Sequence, residues 1–155
     1  MWLEEHLRHS RGYGIHSPFL YRVVREAMMP QRVKGSDKAL YEALRAKGVG
    51  RRAATRAQNL LNAMGYTSWS IDEPNGSDRG LAVATQECEP QMIVTMVEGL
   101  NEKSGAVCVI HRLSDKKRRA ICKSLIGRHH CLSASKPTMK LYFSQQGVSK
   151  QHVVI

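Results

Sequence analysis

The sequence predicts an α/β protein. N-terminal helices over residues 1–65 are followed, over 66–155, by a mostly parallel sheet closed by an antiparallel β-hairpin. Two observations carry this. The spacing of apolar residues changes at Tyr66: before it they recur three to five residues apart between glycine and proline breaks, and after it short β-rich runs alternate with helical stretches. Strand–helix–strand alternation calls for right-handed crossovers and a largely parallel sheet. The second observation is "AVCVIH" (106–111), an uninterrupted apolar run of the kind found in strands buried on both faces. A chain of 155 residues is expected to form one domain.

The elements follow in order. Residues 2–9 offer one or two helical turns with Trp2, Leu3 and Leu7 as contacts, and Gly12 and Gly14 break the chain. Ser17-Pro18 reads as an N-cap followed by proline at the first helical position. Phe19, Val23, Val24 and Ala27 form an apolar face, ended by Pro30. Ser36 is expected to cap a helix with Leu40, Ala43 and Leu44 inward and Gly48 after its end. A fourth helix is expected from about Arg51 to Met64, stopped by Gly65. Its basic start opposes the helix dipole mildly, a feature that ligand or partner binding would explain and that reads equally as carrying no meaning. "YTSWSID" and "GLAVAT" read as strands separated by a turn-rich loop. Then come a helix from Pro90 closed by Gly105, the buried strand, and a helix capped by Ser114 and stopped by Gly127. Ala120, Ile121, Cys122 and Leu125 form that helix's buried stripe. "MKLYFS" and "QHVVI" are expected to pair as the closing hairpin, with an extra short strand near Cys131–Ser133.

Composition bounds the function classes. Net charge is +11, and it is uneven. Residues 1–60 carry 12 Lys/Arg against 5 Asp/Glu, residues 61–105 carry 2 against 7, and residues 106–155 carry 10 against 1. Such a field attracts anions, nucleic acid included, although an aromatic content of 6% offers few stacking platforms. No apolar run approaches a membrane span, and "MWLEEHLRHS" lacks the apolar core of a secretory signal. Cys88, Cys108, Cys122 and Cys131 show no paired spacing and read as buried free thiols of a cytoplasmic protein. Neither these cysteines with His111, His129 and His130, nor His6 with His9, match a closed metal pattern, so no metal is expected.

Three stretches carry a family resemblance. "RGYGIHSPFLYRVVREAM" looks like the N-terminal signature of a group of class I S-adenosylmethionine-dependent methyltransferase-like proteins with a Gly-rich GIHSPF element. "AVCVIHRLSDKKRRAICKSL" resembles that fold's fifth core strand and following helix. "MKLYFSQQGVSKQHVVI" resembles its closing hairpin. The resemblance implies a reduced Rossmann-like sheet and, as cofactor, S-adenosylmethionine held by a Gly-rich loop after the first strand. Here that loop, Ile71–Ser77, has one glycine, one proline and two acids. The residues between the first two predicted strands are too few for the family's second and third strands with their helices. The resemblance therefore implies a shortened member without methyl transfer and without a bound cofactor. The alternatives are a basic module binding nucleic acid or another polyanion, and an active small-molecule methyltransferase with an atypical pocket.

The candidate residues lie at strand ends, where open α/β sheets bind ligands. Asp72, Glu73 and Asn75 are the cofactor-side candidates, in a loop that reads equally as a solvated turn. His111, Arg112 and Lys116 are candidates for substrate or anion contact, with His111 either a general base or a structural histidine. Of the basic run Lys116–Arg119, not all four residues can face one partner. A strand left at the sheet edge needs protection, for which a homodimer is one means. In "RGYGIHSPF" the residue types serve turn and cap roles, and none is assigned to His16.

Overall fold

The computed structural model describes residues 17–102 and 104–155. The expected first helix, Gly12, Gly14, His6, His9 and His16 lie outside the described residues. The chain divides into two compact units, a helical one that ends at Gly65 and includes Val153–Ile155, and an α/β one over Tyr66–His152.

In the helical unit, α1 (Pro18–Arg22) starts as the sequence predicts. Ser17 Oγ accepts the Leu20 N–H at 3.3 Å, and Pro18 occupies the first turn. The helix then widens into a π-helical segment, Val23–Met28, with Met29 N–H donating to Val24 O at 2.9 Å. Val23, Val24 and Ala27 are fully buried along it. Helix α2 (Ala39–Ala46) begins later than expected, and Ser36 is not its cap: Asp37 Oδ1 takes the Ala39 N–H at 3.0 Å. Its end is a Schellman motif. Val49 N–H bonds Leu44 O and Gly48 N–H bonds Arg45 O, both at 3.0 Å, with Gly48 at φ 84°.

Helix α3 (Arg51–Ala63) is buried without interruption from Ala54 to Leu61, so its polar residues must be satisfied inside. They hold backbone. Arg56 Nε donates to Met28 O at 3.2 Å, and Asn59 pairs with both Arg32 O and Lys34 N–H at 3.0 and 2.8 Å. Gln58 Oε1 accepts the Tyr41 N–H at 2.9 Å.

The α/β unit holds strands β1 (Ser68–Ile71), β2 (Gly80–Ala84), β3 (Gly105–Ile110), β4 (Leu132–Lys136) and β5 (Met139–Ser144). The last strand, β6 (Gln151–Val154), begins in this unit. The sheet order is β1-β2-β3-β5-β4-β6. β1, β2 and β3 are mutually parallel, and β5 is antiparallel to both β3 and β4, so β1 to β4 share one direction. The α/β class and the mostly parallel open sheet agree with the sequence expectation.

The closing hairpin does not. β5 and β6 are separated by β4, and the hairpin is β4–β5, turned at Pro137-Thr138. β4 is the extra short strand expected near Cys131–Ser133, running on to Lys136; Leu132 is its one large apolar residue, and Leu132, Ser133 and Ala134 are buried beside β5. Ser133 and Ser135 also bond the His152 ring of β6, at 2.8 and 3.3 Å.

Every residue of β2 and β3 is buried, as the apolar runs require. On one face Ala82, Ala84, Val107, Val109 and Tyr142 pack with Ile93, Met96 and Val97 of α4 (Pro90–Glu98) and with Cys122 and Leu125 of α5 (Lys116–Arg128). Gly99 ends α4 and a 3-10 turn follows, so Gly105 opens β3 and does not close the helix. Its lack of a side chain serves the sheet: a Cβ there would stand 2.6 Å from Gly80 O on the neighbouring strand. All four cysteines are free and buried.

Candidate functional site

The C-terminal ends of β1, β2 and β3 are the edge where the sequence places its candidates. Asp72 follows β1 in a left-handed conformation, φ 59°, tolerable for a short polar side chain. Its backbone N–H donates to Val83 O at 2.9 Å. This turn aims the carboxylate at Thr85, just past β2. Oδ1 accepts the Thr85 N–H and Oδ2 the Thr85 hydroxyl, each at 2.6 Å. Short contacts of this kind mark charge-assisted bonds.

The same edge is closed from the other side by Arg118, which is 5% exposed. Asp115 caps α5, where Ser114 was expected to, by accepting the Arg118 N–H at 3.0 Å; it also pairs with Arg118 Nε at 3.1 Å. The guanidinium then donates Nη1 to Thr85 O at 3.1 Å, and Nη2 to Gln86 O at 2.6 Å and to Cys88 O. One side chain thus holds three carbonyls of the segment after β2. Cys88 beside it is pushed up to about 11 by burial and the Asp72 charge, so its thiol stays protonated and unreactive at neutral pH.

Sequence reasoning missed Arg118. The signal was present: in the run 116–119 only position 118 lies four and seven residues before the apolar Cys122 and Leu125, the spacing of one helix face. The buried stripe is Arg118, Cys122 and Leu125. Ala120 is exposed, and Gly127 sits inside the helix, which stops at His129.

The other candidates are not gathered at this edge. Glu73 is exposed, its carbonyl accepting from Ser70 Oγ at 2.9 Å. Asn75 lies at the opposite end of the sheet, between Ser68 Oγ at 3.3 Å and the start of β2 at Gly80. A cavity of about 100 Å³ opens there, lined by Pro74, Asn75, Gly80, Leu100 and Gly105. That is well below the ~300 Å³ floor of small-molecule pockets.

His111 does stand at the end of β3, 2% exposed, its backbone N–H on Thr138 O at 3.0 Å and its Nδ1 3.1 Å from Arg112 O. Burial, reinforced by the charges of Lys140 and Arg119, pushes it below the usual histidine range. Its Nε2 has no hydrogen-bond partner among the described residues. Arg112 and Lys116 are exposed.

Comparison with known protein families, curated proteins and solved structures found no match for this chain. Among the described residues no three His, Cys, Asp or Glu side chains converge as a metal site. No helix among them is long and apolar enough to cross a membrane.

The chemistry available at the edge therefore consists of the Asp72 and Asp115 carboxylates, the Thr85 hydroxyl, the protonated Cys88 thiol, the Arg118 guanidinium and several carbonyls, nearly all turned on one another, with the buried His111 imidazole at the end of β3. The arrangement ties three elements together. Among the described residues at this edge, the one unpartnered side-chain nitrogen, His111 Nε2, is buried.

Proposed function

We propose that this chain is a shortened, methyltransferase-like α/β domain that does not transfer methyl groups. The observation that supports the reading best is the Asp72–Thr85–Arg118 network, in which the polar groups at the ends of the strands bond one another. Two further features agree with it. β1 is an edge strand, consistent with the lack of further strands on the adenosine side. β1 and β2 are parallel neighbours joined by only eight residues, 72–79, with no crossover helix, whereas such links usually need a dozen or more.

Calorimetric titration with S-adenosylmethionine tests this. The expected result is no binding tighter than about 0.1 mM, and a micromolar dissociation constant supports the alternative of an active enzyme with an atypical pocket.

A second reading, a polyanion-binding module, is favoured by α5. Lys116, Lys117, Arg119 and Lys123 are exposed there and form no ion pair among the described residues. Affinity for single-stranded nucleic acid that falls steeply with salt supports it, and flat millimolar binding dismisses it. A homodimer protecting a sheet edge would appear in light scattering at twice the chain's 17.4 kDa.

A further inference from the structure

The helical unit holds a second concave feature that the reading above does not use. A cleft of about 240 Å³ is lined by Arg32, Lys38, Tyr41, Arg51 and Thr55, together with Gln31 and Val33. Three of these seven residues are cations and none is an acid. The side chains of Arg32, Lys38 and Arg51 are exposed and make no hydrogen bond or ion pair among the described residues. Asp37, next to Lys38, is engaged at the Ala39 N–H and does not line the cleft.

The walls are fixed in advance. Asn59, 1% exposed, grips the loop at Arg32 O and Lys34 N–H, and Asn62 Nδ2 donates to Lys34 O at 3.1 Å. Gln58, fully buried, holds the Tyr41 N–H and braces Asn62 through Nε2 at 3.1 Å. Burying two amides is costly unless both ends are bonded, and here they are. Fastening the loop explains these amides, but not why three unpaired cations were left around one depression. Like charges gathered in a cleft with no acid in its lining repel one another, and Arg51 and Arg52 sit besides at the positive end of α3, with no acid in its first turn. An anion in the cleft relieves all of these penalties together.

We propose that Arg32, Lys38 and Arg51 form a binding cleft for a phosphate group in the helical unit. Its volume lies under the ~300 Å³ typical of drug-sized pockets, which suits a phosphate or pyrophosphate moiety with little else attached. Guanidinium forks at positions 32 and 51 match phosphate oxygens two at a time, and the ammonium at 38 supplies a point charge. The proposal is independent of the strand-edge reading.

The test is calorimetry on the full chain with inorganic phosphate and pyrophosphate, backed by amide chemical shifts. Saturable one-to-one binding of pyrophosphate is expected, with shifts at residues 31–38 and 51–55. Arg32→Ala combined with Arg51→Ala should weaken it about tenfold or more, since two charge-assisted contacts are lost. Arg128→Ala combined with Lys150→Ala removes the same charge from the α/β unit and should change affinity less than about twofold, because exposed charges outside the cleft are screened. If both pairs weaken binding equally, the effect is that of the general field and the cleft is refuted. Absence of saturation refutes it as well. Should the double arginine variant lose its unliganded melting transition, Lys38→Gln replaces it, with about a threefold loss expected from one contact. Competition by a short single-stranded DNA identifies a nucleic-acid backbone as the source of the phosphate, and its failure identifies a free phosphate ester.

Discussion

Replacing Arg118 by alanine should destabilise the protein by about 3–5 kcal/mol, most of it from two buried carbonyls left without a partner. The figure can be built from the bonds. Arg118 donates to Thr85 O, Gln86 O and Cys88 O and pairs with Asp115. Thr85 and Cys88 are buried, so their carbonyls lose a partner without gaining water, at about 1–3 kcal/mol each. Gln86 is exposed and the Asp115 side chain is 34% exposed, so water replaces most of what they lose. The aliphatic stem adds a packing loss that Arg118→Met largely avoids, and comparing the two variants separates packing from bonding. Arg118→Lys should recover less than half, because a single ammonium cannot span three carbonyls and a carboxylate. Urea unfolding measures this: the midpoint should fall with the slope unchanged. A loss below about 1 kcal/mol for Arg118→Ala, or full rescue by lysine, would refute the claim that the fork is what closes this edge.

Three other outcomes follow from the same structure. Gly105→Ala places a Cβ 2.6 Å from Gly80 O, a backbone atom that cannot swing aside, and should cost about 1–3 kcal/mol in the same assay. Asp72→Ala removes the acceptor of two 2.6 Å bonds and puts alanine at φ 59°, so a loss of about 2–3 kcal/mol is expected, with Asp72→Asn closer to wild type. His111 and His129 are both lowered by burial, so the folded protein keeps them neutral while the unfolded chain takes up protons near pH 6.5. The unfolded state then binds more protons. Stability is fully retained above about pH 7 and falls as pH drops below about 6.5, by at most about 1.4 kcal/mol per unit for each histidine. His111→Asn should flatten that slope between pH 7.5 and 5.5, and an unchanged slope contradicts the assignment.

How far the sequence carried these conclusions depended on whether a residue's surroundings are local. Ser17, Pro18, Gly48 and Gly65 act on their own turn of chain, and their roles were legible. The apolar run of β3 announced burial on both faces, and that of β2 announced a strand. β4 was legible in part: a short strand was expected near Cys131–Ser133, but its length and its place beside β5 were not, because "LSASK" owes its burial to β5 and not to its own composition. The hairpin was assigned to the wrong pair for the same reason: the six residues 145–150 between β5 and β6 leave room for β4 to intervene, and no local rule says that it does. Asp72 and Asn75 are three residues apart yet serve opposite ends of the sheet, since the 72–79 segment runs back along the strands. Arg118 was hidden in a basic run whose other members do face solvent.

The Arg118 network also bears on ligand binding in a way that can be quantified. A site built for a ligand leaves hydrogen-bonding capacity open, and the ligand satisfies it. At this edge Asp72, Thr85, the carbonyls of Gln86 and Cys88, and Arg118 already satisfy one another. A molecule competing for those groups must first separate them, and its apparent affinity falls by the fraction of chains so opened. Taking the opening at the same 3–5 kcal/mol as the loss of Arg118, an intrinsic dissociation constant of about 1 μM becomes about 0.1 mM to several mM. The weak binding that the proposed non-catalytic reading expects therefore needs no missing residue; the stability of the edge is enough. Arg118→Met makes the argument testable. It removes the competing donor while retaining the stem. If the edge alone masks a pocket, cofactor affinity should rise in this variant by tenfold or more. If the sheet holds no such pocket, affinity should stay unmeasurable in both proteins, and weak binding then traces to the strand arrangement at β1 and not to the guanidinium.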